Sequence, residues 1–221
     1  VSTTFAATSR HAALEANPAW AQLLGLCPLL AVSSSIANAL GLALASAMVL
    51  IGSNTLIAVL RHRIPQYARL PCFVLIIASF TTVAVLLMQA FAYELYVRIA
   101  LFIQIIVTNC MILGRAEAFA SRQPVPAAFA DALGTAAGFA MALVLLGTVR
   151  ELAATGGLFA GMETLFGPPA ADWHISLVDD GILLAALPPG AFIVAGLLLA
   201  LKQMIRADRS RGSTAGRQSQ S

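Results

Sequence analysis

The sequence predicts an all-α polytopic membrane protein of six transmembrane helices, built as an inverted 3+3 repeat with interrupted half-helices at spans one and four. Three observations predict it. The 221 residues are 59% hydrophobic and only 10% charged, with a mean hydropathy of +0.86, too little charge to cover a soluble domain. From Ala16 to Leu60 there is no charged residue, a run too long for one span of about 20 residues and about right for two. Finally, the apolar runs are separated by short clusters of charge and proline. Nearly all of the length is needed for spans, so one membrane domain is expected over residues 16–205. A cytoplasmic lead-in (1–15) precedes it and a disordered, basic cytoplasmic tail (206–221) follows. The lead-in has no apolar core of a signal peptide. A net charge of +3, scattered along the chain, argues against a nucleic-acid partner.

Taken in order, Asn17-Pro18-Ala19-Trp20 reads as a helix start, with Asn as cap and Pro in the first turn, and Trp20 suits a membrane interface. Span one is expected from Trp20 to about Val32. It is short because Pro28 cannot continue a hydrogen-bond ladder and Ser33-Ser34-Ser35 follows. Span two runs from about Asn38 to Leu60. Arg61, His62, Arg63 and Arg69 flank Pro65 in a basic loop. Span three runs from Leu70 to Phe91, with Pro71 at its first turn. Glu94 and Arg98 are expected to mark a short loop, and span four to run from Ile99 to Leu113. Arg115, Glu117 and Arg122 follow, then Pro124 and Pro126. Span five covers Ala127 to Val149. Residues 150–181 read as a long acidic loop containing Arg150 and Glu151. Its LFAGMETLFG piece is too short to span and suits an interfacial or re-entrant position. Span six begins near Leu183 or at Pro188 and ends near Ile205.

Six spans place both termini on one side. The basic residues 61, 63, 69, 115, 122 and those of the C-terminal tail fall on that same side, and the acidic loop falls on the other. By the positive-inside rule, the N- and C-termini are expected in the cytoplasm. The basic clusters need no other role than this topology signal and attraction to anionic lipid.

The three cysteines, Cys27, Cys72 and Cys110, are far apart and form no CxxC pair, which excludes a self-contained zinc ribbon or ferredoxin-type loop. Divided after span three, each half opens with a helix carrying a cysteine. Three spans per half is an odd number, so the halves enter the membrane from opposite sides. Inverted repeats of this kind place their sites near the midplane on discontinuous helices. Cys27 lies seven residues beyond Trp20, about 10 Å at a helical rise, and Cys110 twelve beyond Arg98, about 18 Å. Half of a hydrocarbon core is about 15 Å, so both thiols are expected near mid-membrane. The plain alternative for a lone membrane cysteine is a small packed hydrophobe. Arg115 and Glu117 are expected to lie below the headgroups, as a mutual pair, as snorkelling side chains or as a functional site.

Four stretches carry a family resemblance: NPAWAQLLGLCPLLAV, IVTNCMILGRAEAFA, VRELAATGGLF and LPPGAF. Together, over residues 17–205, they resemble the E-type family of the bacterial Rnf complex, an ion-translocating electron-transport machine that links ferredoxin and NAD. The sister family, the D-type membrane component of the sodium-pumping NADH:quinone oxidoreductase, has similar cysteine motifs. It usually lacks Pro after the first Cys and the PPG before the last span, so Pro28 and Pro188-Pro189-Gly190 favour the Rnf family.

The resemblance implies a multi-pass subunit of the bacterial inner membrane that is inactive alone and pairs with a homologous A-type subunit of inverted topology. Other Rnf subunits, bearing flavins and iron–sulfur clusters, complete the complex. It also implies one [2Fe-2S] cluster in mid-membrane with two cysteine ligands from each of the paired chains. Carried over, the ligands here are Cys27 in GLCP and Cys110 in TNC. Cys72 matches no motif position and is treated as structural. Pro28, Thr108 and Asn109 lie next to the two ligands and are candidates to shape the cluster's surroundings, with Ser33 and Ser34 as further hydrogen-bonding candidates. For these polar residues the plain alternative is helix-to-helix hydrogen bonding. Two other functions stay open on residues alone: a secondary transporter, which suits inverted repeats and broken helices, and a structural subunit without iron.

Overall fold

The computed structural model describes residues 22–155, 157–158, 175–176 and 187–218. The lead-in, the Asn17-Pro18 cap, Trp20 and the bulk of the acidic loop with its LFAGMETLFG piece lie outside those residues. The described chain runs α1 (Leu26–Val32), α2 (Ile36–Leu60), α3 (Arg69–Phe91), α4 (Tyr93–Ile105), α5 (Cys110–Arg115), α6 (Val125–Thr155) and α7 (Pro188–Gln218). Single 3₁₀ turns cover Gln66–Ala68 and Ile106–Thr108, and α5 continues as a π-helical turn over Ala116–Ala120. Two two-residue strands, β1 (Gly157–Leu158) and β2 (Ile175–Ser176), pair antiparallel and bring the two ends of the segment between them together.

Among the described residues four helical stretches are long and apolar enough to cross a membrane: Ile36–Leu60, Gln66–Phe91, Tyr93–Ala120 and Val125–Thr155. This is the coarse fold expected from composition, a multi-pass helical membrane protein. The helix at expected span one is seven residues long, and the apolar part of the last helix covers Pro188–Met204. That helix begins at Pro188, the later of the two expected starts, and continues to Gln218, past residue 205 where the composition suggests that structure ends.

Three boundaries depart from the sequence reading, each where charge suggests loop. Glu94 and Arg98 lie inside α4, because α3 and α4 join through the single residue Ala92, whose N–H still donates to the Met88 carbonyl at 2.8 Å. The depth count for Cys110 that begins at Arg98 therefore loses its anchor; the helix starts five residues earlier. Span four does not stop at Leu113 but carries Arg115 and Glu117 to Ala120. Span five does not stop at Val149 but carries Arg150 and Glu151 to Thr155. In the two extended spans, Arg115, Arg150 and Glu151 are accommodated by partners that hydropathy cannot see.

The core is the antiparallel pair α2–α6. Ser35 caps α2, its hydroxyl accepting from the Asn38 N–H at 3.3 Å, and the serine run thus ends one helix and starts the next. Small residues let the two helices approach closely: a Cβ built on Gly147 would sit 3.2 Å from Cβ of Ala39. At the other end Ala58 and Ala128 share one apolar cluster. Both pairings give the same register, each step forward on α2 matching one step back on α6. Helices α3 and α4 pack outside this pair through Phe73, Ile77, Leu95 and Ile99, all buried. Their outer faces show large apolar side chains such as Leu75, Leu86 and Leu101, as expected of surfaces that meet lipid or another membrane subunit.

Candidate functional site: two touching helix elbows

The two cysteines singled out in the sequence each start a short helix just after the chain changes direction. At the first elbow, Leu23 and Gly25 have φ of 54° and 76°. Gly25 is the N-cap of α1 and Cys27 its second residue. Pro28 follows, buried; lacking an N–H, it loses nothing in a first helical turn. At the second elbow, α4 tightens into the 3₁₀ turn Ile106–Thr108 and breaks at Asn109, whose extended backbone (φ −65°, ψ 117°) makes it the N-cap of α5. Its side-chain Oδ1 accepts from the Met111 N–H at 3.0 Å. Cys110 is the first residue of α5.

The elbows are in contact. A Cβ built on Gly25 would lie 3.3 Å from Asn109 Oδ1, 3.4 Å from Met111 Cβ and 3.1 Å from the Phe139 ring. The glycine is required twice over, by its left-handed backbone and by the closeness of the second elbow. Both thiols are free and exposed, whereas Pro28, Leu29, Asn109, Met111 and Ile112 around them are buried. The two elbows therefore bury their shoulders against each other and turn both cysteines away from this chain's own core. Cys72 is elsewhere, in the first turn of α3, and half-buried.

The expected polar neighbours divide. The Thr108 hydroxyl donates to the Ile105 carbonyl at 3.2 Å, an intrahelical bond. Ser34 Oγ accepts from Asn38 Nδ2 at 3.5 Å. Ser33 is fully buried and accepts from Arg150. Asn109 differs: it is 3% exposed, and its Nδ2 is buried with no hydrogen-bond partner among the described residues.

Arg150 and Glu151 hold the first elbow's helix in place. Arg150 is 2% exposed. One Nη donates to the Leu30 carbonyl and to Ser33 Oγ, both at 3.0 Å, and the other reaches the Leu187 carbonyl at 3.4 Å. Glu151 Oε2 accepts the Ile36 N–H at 2.6 Å, taking one of the donors a helix start leaves open. A cation thus sits at the C-terminal end of α1 and an anion at the N-terminal start of α2, the signs that helix ends favour. Charge alone puts both residues in a loop, and the structure corrects that. The signal available is their place in VRELAATGGLF, directly after an apolar run. Asp131 is a site residue that the sequence reading does not reach. The lone acid of expected span five, it pairs through both carboxylate oxygens with Arg115, whose Nε lies 3.0 Å from Oδ2. The Arg115 guanidinium also covers the Phe119 ring, 5.5 Å from its centre. Of the alternatives expected for Arg115 and Glu117, the mutual pair gives way to this one.

Among the described residues no group of three or more His, Cys, Asp or Glu side chains is placed to hold a metal, so the two thiols are at most half of a tetrathiolate site. Comparison with known proteins gives this arrangement a family. The pattern described as "Rnf-Nqr subunit, membrane protein" matches residues 5–199. The chain belongs to this Rnf-Nqr family of membrane subunits. Its relatives include proteins named as the E-type component of the "Ion-translocating oxidoreductase complex". That of Thioalkalivibrio sulfidiphilus is 51% identical over 193 residues, covering 86% of this chain and 85% of the relative. That of Pseudoalteromonas atlantica is 52% identical over 195 residues (86% and 82%), and that of Pseudomonas paraeruginosa 52% identical over 200 residues (88% and 84%). Within this Rnf-Nqr protein the family match takes in both elbows, the Arg150–Glu151 strut and the start of α7.

Proposed function

We propose that this Rnf-Nqr protein is the E-type membrane subunit of an ion-translocating ferredoxin:NAD oxidoreductase, and that Cys27 and Cys110 supply half the ligands of a [2Fe-2S] cluster shared with a homologous subunit. The names of the relatives support the complex. The observation that carries the cluster is the pair of exposed thiols on two touching elbows, where Gly25, Pro28, Leu29, Asn109, Met111 and Ile112 beside them are buried. Thiolates are the soft ligands iron–sulfur clusters take, normally four for this cluster. Two from one chain call for two from another. A homologous chain presenting the same elbows from the opposite side of the membrane completes the set.

When bound, such a cluster supplies a one-electron relay between redox subunits on the two faces. This chain's own residues do the rest. Gly25 lets the elbows meet, and Asn109 fixes the start of α5 through Oδ1 while its Nδ2 has no partner among the described residues. The surrounding Leu29, Met111, Ile112 and Phe139 exclude water. Arg150 and Glu151 hold the α1–α2 break against α6 and the start of α7. Flavin- and iron–sulfur-bearing subunits are the expected electron partners, and sodium ions or protons the translocated species. The end bearing Arg61, Arg63, Arg69 and Arg122 faces the cytoplasm of a bacterial inner membrane, together with both termini.

The test is coupled activity in proteoliposomes of the whole complex. Replacing Cys27 or Cys110 by Ser abolishes both NADH-linked electron transfer to ferredoxin and ion uptake, whereas Cys72→Ser retains both. Assembled complexes in which Cys27→Ser and Cys110→Ser leave electron transfer intact would favour a structural subunit.

A further inference from the structure

The sharp joint between α3 and α4 leaves a cavity beside α2. The two helices meet at Ala92 alone, and α4 leans on α2 through Leu95 and Ile99. A Cβ built on Gly41 would lie 2.6 Å from Leu95 Cδ2 and 3.4 Å from Ile99 Cδ1. Between the first half of α2 and the last turns of α3 remains a cavity of about 240 Å³. Met48, Ala84, Met88 and Leu95 stand among its walls, and every residue lining it is apolar. Leu44 and Leu87, which also line it, are exposed, so it opens outward. Apart from Ala92, its lining belongs to three stretches long and apolar enough to cross a membrane. Apolar cavities stay dry and take apolar guests; one of about 150 Å³ already holds a benzene ring.

Beside the cavity, α4 carries two charges that the fold does not use. Glu94 and Arg98 directly precede Leu95 and Ile99, the residues that face α2. Being four apart, they are neighbours on one flank of the helix, and both are exposed. Neither makes an ion pair or a side-chain hydrogen bond among the described residues. An arginine within a span and without a partner is costly. Exposed Phe91 and Tyr93, with the Tyr96 ring 6.4 Å from that of Tyr93, mark this end as headgroup level. Glu94 is the second residue of α4 and Arg98 the sixth, about 6 Å deeper along the helix. That order fits one headgroup. In phosphatidylethanolamine the phosphate sits next to the glycerol and the ammonium lies outside it. Phosphate therefore meets Arg98, which can hold it through two nitrogens, and ammonium meets Glu94, while a tail enters the cavity. A purely anionic headgroup meets the repulsion of Glu94 instead.

We propose that the cavity between α2, α3 and α4 binds an acyl chain of a zwitterionic aminophospholipid, with Arg98 on its phosphate and Glu94 on its ammonium. None of these residues belongs to the cysteine elbows. Photolabelling of the purified whole complex tests the site, using phosphatidylethanolamine with a diazirine in its acyl chain and peptide mass spectrometry to map the label. Label should concentrate at Met48 and Met88, well above the outer-face residues Leu75 and Leu101. Excess unlabelled phosphatidylethanolamine should displace it, and phosphatidylglycerol at the same concentration should not. Arg98→Gln, which removes a charge-assisted contact, should cut that label about tenfold. Glu94→Gln should let phosphatidylglycerol compete as well as phosphatidylethanolamine. Leu44→Trp, a larger side chain at an exposed wall, should keep the tail out, and iron content should stay unchanged in all three variants. Label at Met48 and Met88 no higher than at Leu75 and Leu101 would overturn the proposal. So would wild-type labelling in assembled Arg98→Gln and Leu44→Trp complexes, or equal displacement from the wild type by phosphatidylglycerol. Displacement by an isoprenoid quinone but not by phosphatidylethanolamine would also overturn it, giving the cavity to a quinone.

Discussion

Replacing Arg150 by Met removes a side chain that ties α1, α6 and the start of α7 together, at nearly unchanged volume. Its contacts to the Leu30 carbonyl and Ser33 Oγ are 3.0 Å long, and one to the Leu187 carbonyl is 3.4 Å. Side-chain hydrogen bonds inside membrane proteins contribute about 0.6 kcal/mol on average and about 1.7 at most. The two short bonds therefore amount to about 1–3 kcal/mol. Leaving the Leu30 carbonyl and the fully buried Ser33 hydroxyl short of a donor adds to that, while relief from burying a charge subtracts. The expected net cost is about 2 kcal/mol, or a lowering of Tm by about 4–8 °C for a chain of this size. Arg150→Lys should recover less than half, because one ammonium cannot reach acceptors that the guanidinium serves from two separate nitrogens. The assay is thermal unfolding of the purified complex beside its iron content, since a loosened α1 misplaces Cys27. Wild-type stability in both variants would refute the account of Arg150 as a strut.

Further outcomes follow from the same geometry. Gly25→Ala must hold a left-handed backbone and fit a methyl 3.1 Å from the Phe139 ring; it should cost about 2 kcal/mol and lower iron content. Asn109→Ala removes a helix cap worth about 1 kcal/mol and the orphaned N–H donor, and should shift the midpoint potential of the reduced-complex EPR signal downward; an unchanged potential would show that the donor faces something other than the cluster. Asp131→Asn strands a largely buried Arg115 and should destabilise by about 3 kcal/mol, whereas Arg115→Leu/Asp131→Leu should come within about 1 kcal/mol of wild type, as a double-mutant cycle would show.

Much of the fold is legible because a bilayer sets span lengths and tolerates few charges, so the runs 38–60, 70–91 and 127–149 can be placed from hydropathy alone. The departures share one cause. Charge suggests loop at Glu94, Arg98, Arg115, Glu117, Arg150 and Glu151, yet each lies in a helix. Arg150 and Glu151 are held by backbone groups more than a hundred residues away in the sequence, a pairing that no local pattern encodes. Asp131 escapes notice for the opposite reason: a lone acid in a long apolar run looks incidental until Arg115 is seen beside it. At the site, the Cys27-Pro28 and Asn109-Cys110 pairs are legible as helix breaks. Nothing local shows that Gly25 brings the two breaks into contact, or that Asn109 keeps a donor unpartnered among the described residues while Thr108 and Ser33 bond within the chain.

The central claim is that Cys27 and Cys110 hold iron together with a partner chain. Iron analysis and EPR of the dithionite-reduced whole complex, beside Cys27→Ala, Cys110→Ala and Cys72→Ala, test it most directly. The account predicts a [2Fe-2S] signal in the wild type and in Cys72→Ala, lost in either of the other two along with two irons per complex. An assembled complex whose signals and iron content are the same in Cys27→Ala and Cys110→Ala as in the wild type would contradict it.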